Sequence, residues 1–288
     1  KHLKVAFIYE KTSASSAWTY SHELGRLHLN EVFPDDVTTV YYDSINSHNI
    51  EEAIDDAIAN GCNVIFTTSP TFSQASLKAP KITILNCSLH DPHTSMRTYY
   101  ARMHEAKFIM GAVAGSMAAH DKIVYIADYP IYGTIANINS FAQGVKMTNP
   151  RAKIHLLWSC LKDVDVEEQI KQLQPDCVSD KDLSVPEAGT RYYGLYMSYP
   201  DSIWNLAIPI YNWGKFYEQL IEAILNGTWK ADDSKNVKAI NYWWGMAENA
   251  IEVISSPWLP EGIKKLINLL TKTIRSGDFN PFSGIIYS

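Results

Sequence analysis

No run of this chain approaches the ~20 consecutive apolar residues that a membrane-spanning helix needs. Cations are not concentrated either. Lys and Arg number 25 against 31 Asp and Glu, a net charge of −6 with no basic block, so nucleic-acid binding by this chain alone is not expected, because neutralising phosphates takes clustered Lys and Arg. Cysteine is sparse: Cys62, Cys87, Cys160 and Cys177 stand far apart, form no CxxC and lie in or beside apolar runs. They read as buried free thiols, which leans toward a reducing compartment. There is no GxSxG, no Walker loop, no GxGxxG and no HExxH, so no nucleophile elbow, phosphate cradle or zincin helix is expected. His90-Asp91-Pro92-His93, with His104 downstream, lacks the further converging ligands of a zinc site and reads as a turn with solvated imidazoles. No enzyme activity, metal or cofactor is expected.

What is present is ample core material. With 288 residues and 46% hydrophobic content, the chain suits two domains of roughly 100–150 residues. No Ser- or Gly-rich linker separates them, which predicts short ordered crossings instead of a tether. Lys1-His2-Leu3-Lys4-Val5 runs straight into a strand, so any leader, anchor or N-terminal partner domain is expected to precede residue 1.

The organising stretch is 107–144. Phe108, Ile109, Ala112, Val113 and Met117 recur at helical spacing among small Gly111, Ala114 and Gly115. Ile123–Ala127 is a short apolar run suited to a strand buried on both faces, and Gly133-Thr134 opens a second helix. Upstream, strands are expected at Val5–Tyr9, Thr38–Tyr42, Cys62–Thr67 and Ile82–Asn86, with helices at Trp18–Phe33 and Asn49–Asn60. Downstream come strands at Lys153–Trp158, Cys177-Val178, Tyr193–Met197, Ala207–Tyr211 and Ala239–Trp243, and helices at Val166–Leu173, Trp213–Leu225 and Pro260–Ser276. The alternation predicts an α/β protein of two doubly wound, parallel-sheet lobes.

Several runs carry a resemblance: Asn212-Trp213-Gly214, Phe216-Tyr217, Asn226-Gly227-Thr228-Trp229-Lys230, Tyr242-Trp243-Trp244-Gly245, Ala127-Asp128-Tyr129-Pro130-Ile131 and Asn139-Ser140-Phe141-Ala142-Gln143-Gly144. Together they resemble the basic membrane protein (BMP) family, whose best-known members are purine-nucleoside-binding lipoproteins of ABC importers. The resemblance implies a type I periplasmic-binding-protein fold with three crossings and a small molecule held in an interlobe cleft. Lobe one is expected at 1–116 plus 213–240 and lobe two at 117–212 plus 241–288. The implied partners are a purine nucleoside or nucleobase and the membrane permease of an importer. The implied location is the extracytoplasmic membrane face, as a lipoprotein. A cytoplasmic ligand-sensing domain fused to a regulatory domain is the alternative.

Ligands of open α/β sheets bind beyond the carboxyl ends of strands, which places the candidates. Trp18 matches the position where the family puts an aromatic residue against the base; the other reading is a helix-start residue packed on the sheet. Ser13 and Ser16 offer hydroxyls from the preceding loop, or are simply solvated. Ser69 and Phe72 follow a strand, with Phe72 either a second aromatic wall or a core residue. Asp128 and Tyr129 end the central strand. Asp180 and Asp182 match the position where the family often has a polar strand-end residue, one of them to accept hydrogen bonds from ribose hydroxyls or a base N–H. The other reading is a solvated charged turn, and Asp201 is a similar candidate or a plain loop residue. Asn212 is expected to reach the cleft from a crossing, where Trp213 packs or touches ligand. The loop Lys11–Ala17 lacks the Gly-Asp pair of the nucleoside-binding members, so no acidic grip is expected from it.

Overall fold

The computed structural model describes residues 1–79, 82–89, 91–93, 95–130, 132–185, 188–229 and 240–282. His90, Ile131, Lys230 and Ala239, on which parts of the sequence reading fall, lie outside them. The chain begins β1 (Leu3–Ile8), α1 (Ala17–Val32), β2 (Val37–Tyr42), α2 (Ile50–Ala59), β3 (Val64–Thr67), β4 (Thr83–Cys87) and β5 (Arg97–Ala101). It continues with α3 (Met103–Met117), β6 (Lys122–Ala127), α4 (Tyr132–Thr148), β7 (Lys153–Trp158), α5 (Val166–Leu173), β8 (Cys177–Ser179), β9 (Leu195–Tyr199) and β10 (Ser202–Tyr211). Then come α6 (Trp213–Leu225), β11 (Ile240–Trp244), β12 (Ile251–Ser255) and α7 (Glu261–Ser276). Two compact units result, Lys1–Ala101 with Asn212–Trp244 and Arg102–Tyr211 with Gly245–Ser288, so the chain passes between them three times.

The first unit holds a parallel sheet in the order β11-β5-β4-β3-β1-β2. One face buries Ala6, Ile8, Ile65 and Ile84 against Ile50, Ala53, Ile54 and Ala57 of α2. On the other, Phe7, Phe66 and Tyr99 meet Phe216 and Tyr217 of α6, with Tyr99 stacked on Phe216 at 4.7 Å. Between β3 and β4 two 3₁₀ turns, Pro70–Phe72 and Gln74–Lys78, replace an α-helical crossover.

The second unit carries the sheet β12-β10-β9-β8-β6-β7, and here the expected all-parallel lobe needs correcting. β6 pairs in parallel with β7 and β8, but β9 runs antiparallel to both β8 and β10, and β12 antiparallel to β10. For the β9–β10 pair the cause is the two-residue link Pro200-Asp201, which pairs Tyr199 with Ser202; a hairpin that short returns the chain, whereas a parallel neighbour needs a long crossover. The expected lobe boundary at 116/117 also shifts. α3 lies in the second unit, where Gly111 faces the Phe141 carbonyl and Gly144 the Phe108 carbonyl so closely that a methyl group at either would collide with backbone. That close approach fixes α3 to α4 and not to the first sheet.

Candidate functional site

In the first unit the candidates gather beyond the carboxyl ends of β1 and β3. The Thr12 carbonyl accepts from the Ser15 and Ser16 N–H groups at 3.2 and 3.1 Å, folding the loop into a turn with Ser13 half-buried in it. The Ser16 hydroxyl accepts from the Thr19 N–H at 3.2 Å, the usual work of a helix N-cap, and starts α1 there. Two residues on, the half-buried Trp18 donates its indole N–H to the Thr68 carbonyl at 2.8 Å. Its ring stands edge-on to His22 at 4.8 Å and to Trp213 at 5.6 Å, and Tyr100 lies tilted beside it at 6.4 Å. Ser69 caps the first 3₁₀ turn, accepting from the Thr71 N–H at 3.2 Å.

Beneath this platform lies a buried polar pair. His22 Nδ1 is 2.6 Å from the Tyr217 hydroxyl, its ring is stacked on Trp213 at 4.5 Å, and its Nε2 has no partner. Burial pushes the His22 imidazole well below its ordinary pKa, so it stays neutral.

In the second unit the candidates follow β6 and β8. Asp128 is exposed and accepts from the Ser159 hydroxyl at 3.1 Å, and Tyr129 is 66% exposed. Asp180 accepts from the Tyr196 hydroxyl at 2.9 Å and the Lys181 N–H at 2.7 Å; its half-burial raises the carboxyl pKa above the ordinary value. Asp182 is paired with Lys107 of α3, whose side chain is only 3% exposed and whose ammonium lies 5.4 Å from the Tyr125 ring centroid. Burial drives the Lys107 pKa down, but Asp182 and Tyr125 outweigh it and the net shift is upward, so the lysine stays charged.

Three candidates are corrected. Phe72 has no exposed surface and belongs to the α2-side core of the first unit, not to an aromatic wall. Trp213, 2% exposed, is enclosed by His22, Tyr99 and Trp18. Asp201 sits in the β9–β10 hairpin; because Cys177 pairs with Met197 and Ser179 with Leu195, that hairpin lies beyond the amino end of β8, opposite Asp128 and Asp180. Asn212 precedes α6, half-buried, its carbonyl accepting from the Lys215 N–H at 3.0 Å.

The sequence reading missed Lys107 and Asn86. Each had a signal: a lysine inside the apolar stripe of α3, and an asparagine inside the apolar run of β4. Among the described residues no group of His, Cys, Asp or Glu is placed to hold a metal ion, and Cys62, Cys87, Cys160 and Cys177 are free thiols.

Comparison with known proteins places this geometry. The family described as Bmp, ABC transporter substrate-binding protein PnrA-like, matches residues 2–170. A purine-binding protein of Brucella abortus (strain 2308) is 28% identical over 305 aligned positions, covering 99% of this chain and 84% of that protein. Among solved structures, an ABC transporter solute-binding protein from Conexibacter woesei superimposes with a TM-score of 0.72 at 14% identity, over 96% of this chain and 98% of that one. A transcriptional activator of the comK gene from Bacillus halodurans gives 0.70 at 14% identity, over 96% and 99%. These two structural likenesses speak to the fold, a type I periplasmic-binding-protein architecture of two α/β lobes.

Proposed function

Because the chain belongs to the Bmp family of PnrA-like ABC transporter substrate-binding proteins, a non-enzymatic family, we propose that it binds a purine nucleoside or nucleobase for import. The observation that carries the ligand class is the 28% identity to a purine-binding protein along 99% of the chain. The half-buried Trp18 ring beyond the β1 and β3 tips supports it, since a base stacked on an aromatic ring gains ~1–3 kcal/mol.

In this reading the ligand meets strand-tip loops and shifts an open–closed equilibrium by contacting the closed form better. Trp18 stacks on the base. Ser13, Ser16 and Ser69 lend hydroxyls, and Tyr129 covers the ring. Asp128, Asp180 and Asp182 accept hydrogen bonds from base N–H or ribose hydroxyl groups. Asn212 adds a contact from a crossing. The partner is the permease of an importer, and the protein works on the extracytoplasmic face of the membrane, held there as a lipoprotein.

A second reading, a cytoplasmic sensor domain fused to a regulatory domain, is favoured by the four free thiols. Residues preceding the first strand in the full-length protein separate the two: a lipobox cysteine supports the receptor, a helix-turn-helix the sensor. For the ligand, a thermal-shift series with inosine, guanosine, adenosine, adenine and glucose decides. A ligand at 100 times its Kd adds about 2.7 kcal/mol; a shift with glucose and none with any purine overturns the proposal.

A further inference from the structure

Near the end of β4, Asn86 has no exposed surface and shares a register position with Thr67 of β3 and Thr98 of β5. Its Nδ2 donates to the Thr67 hydroxyl at 2.8 Å and to the Ser69 carbonyl at 2.7 Å. A carbonyl can only accept, so the bond to Ser69 fixes which way the amide faces. That leaves Oδ1 buried without a partner, a cost that leucine, close in size, would not incur. What the amide does instead is hold the Ser69 carbonyl. The preceding residue, Thr68, is held to β1 by its hydroxyl and N–H, both donated to the Ile8 carbonyl at 3.0 and 3.2 Å. The Thr68 carbonyl is the acceptor of the Trp18 indole at 2.8 Å. The Thr68 carbonyl that orients Trp18 thus sits between two anchors, the Thr68 N–H and hydroxyl held on β1 and, one peptide further on, the Ser69 carbonyl held on β4.

We infer that Asn86 is a positioning residue for the Trp18 ring, acting through the Ser69 carbonyl on the backbone next to the Thr68 carbonyl and not by touching ligand. The inference deepens the proposed function and rests on Trp18 being the stacking platform. It predicts that an amide on the α2 side of the sheet governs affinity for a flat ring bound beyond the strand tips.

The test uses ¹⁵N-labelled protein, with the Trp18 indole signal assigned by its loss in Trp18→Phe. In Asn86→Leu the Trp18 indole proton exchanges with water at least about tenfold faster. The indole of Trp229, bonded to the Tyr242 hydroxyl at 2.8 Å in the same unit, stays as it was. Thr67→Val, which removes the other acceptor but leaves the Ser69 bond, keeps Trp18 protected. If Asn86→Leu does not fold, Asn86→Ser serves in its place. In a parallel arm, the affinity for the purine giving the largest thermal shift falls about tenfold in Asn86→Leu. It falls less than about twofold when the same change is made in Trp18→Ala, because the ring it positions is gone. Unchanged Trp18 exchange, or a rise shared equally by Trp229, overturns the inference. Should the exchange result hold while Trp18→Ala leaves purine affinity intact, the stacking reading fails and the positioning role stands.

Discussion

Lys107 of α3 and Asp182 of the loop after β8 form an ion pair in which the lysine side chain is 3% exposed and the aspartate 20%. The pair ties the strand-tip loop of the second unit to its best-buried helix. Removing one member leaves a desolvated charge without its counter-charge, which costs far more than the pair itself contributes. Asp182→Asn is expected to destabilise by ~3 kcal/mol, read from urea unfolding. The double variant Lys107→Met with Asp182→Asn recovers most of that loss; a double variant as unstable as the single would show that packing, not charge, is at stake.

The α3–α4 contact depends on glycine at two positions. A Cβ at Gly111 would meet the Phe141 carbonyl oxygen and one at Gly144 the Phe108 carbonyl oxygen; neither is the movable end of a side chain. Gly111→Ala and Gly144→Ala should each cost about 2–3 kcal/mol through forced helix separation. Gly262→Ala on α7, with nothing within 4 Å of the added methyl, should gain about 0.5–1 kcal/mol. Thermal unfolding of the three variants side by side checks both signs.

Two buried histidines set a pH dependence. His22 is held neutral by burial, and His104 is lowered to about 4 by burial and then by the Arg102 cation. The folded pKa values lie below the unfolded value of about 6.5, so the stability these residues contribute is intact above that pH and is lost as pH falls, by about 1.4 kcal/mol per unit for each histidine. His22→Gln should flatten that slope by one histidine's share, measured by urea unfolding at pH 7, 6 and 5. A slope unchanged by the substitution would mean that His22 does not set it.

Much of the fold was legible because strands buried on both faces write themselves as apolar runs. Val5–Ile8 and Ile123–Ala127 are such runs, and α6 (Trp213–Leu225) and α5 (Val166–Leu173) announce themselves by period and caps. β5 was missed: Arg97, Thr98 and Tyr100 break its apolar character, and its Thr98 is buried by bonding Asn241 of the neighbouring strand. Strand direction in the second unit was misread because sequence periodicity is the same for parallel and antiparallel neighbours; the short link Pro200-Asp201 was the available clue. For the site, the strand-tip rule pointed to Ser69, Asp128 and Asp180 just after strand ends and to Trp18 in the first turn of α1. It failed for Phe72, since an aromatic residue after a strand looks alike whether it faces a ligand or the next layer. Lys107 and Asn86 were passed over because a polar residue inside an apolar run reveals its partner only in three dimensions.

The most direct measurement is calorimetric titration of the parent protein and Trp18→Ala with inosine and adenine. Saturable one-to-one purine binding is expected, weakened by about 1–3 kcal/mol when the Trp18 ring is removed. The variant melts lower, since its indole bond to Thr68 and its packing on His22 and Trp213 are lost, so both titrations are run well below that transition. Purine binding of equal strength in both proteins, or no purine binding by the parent, would contradict it.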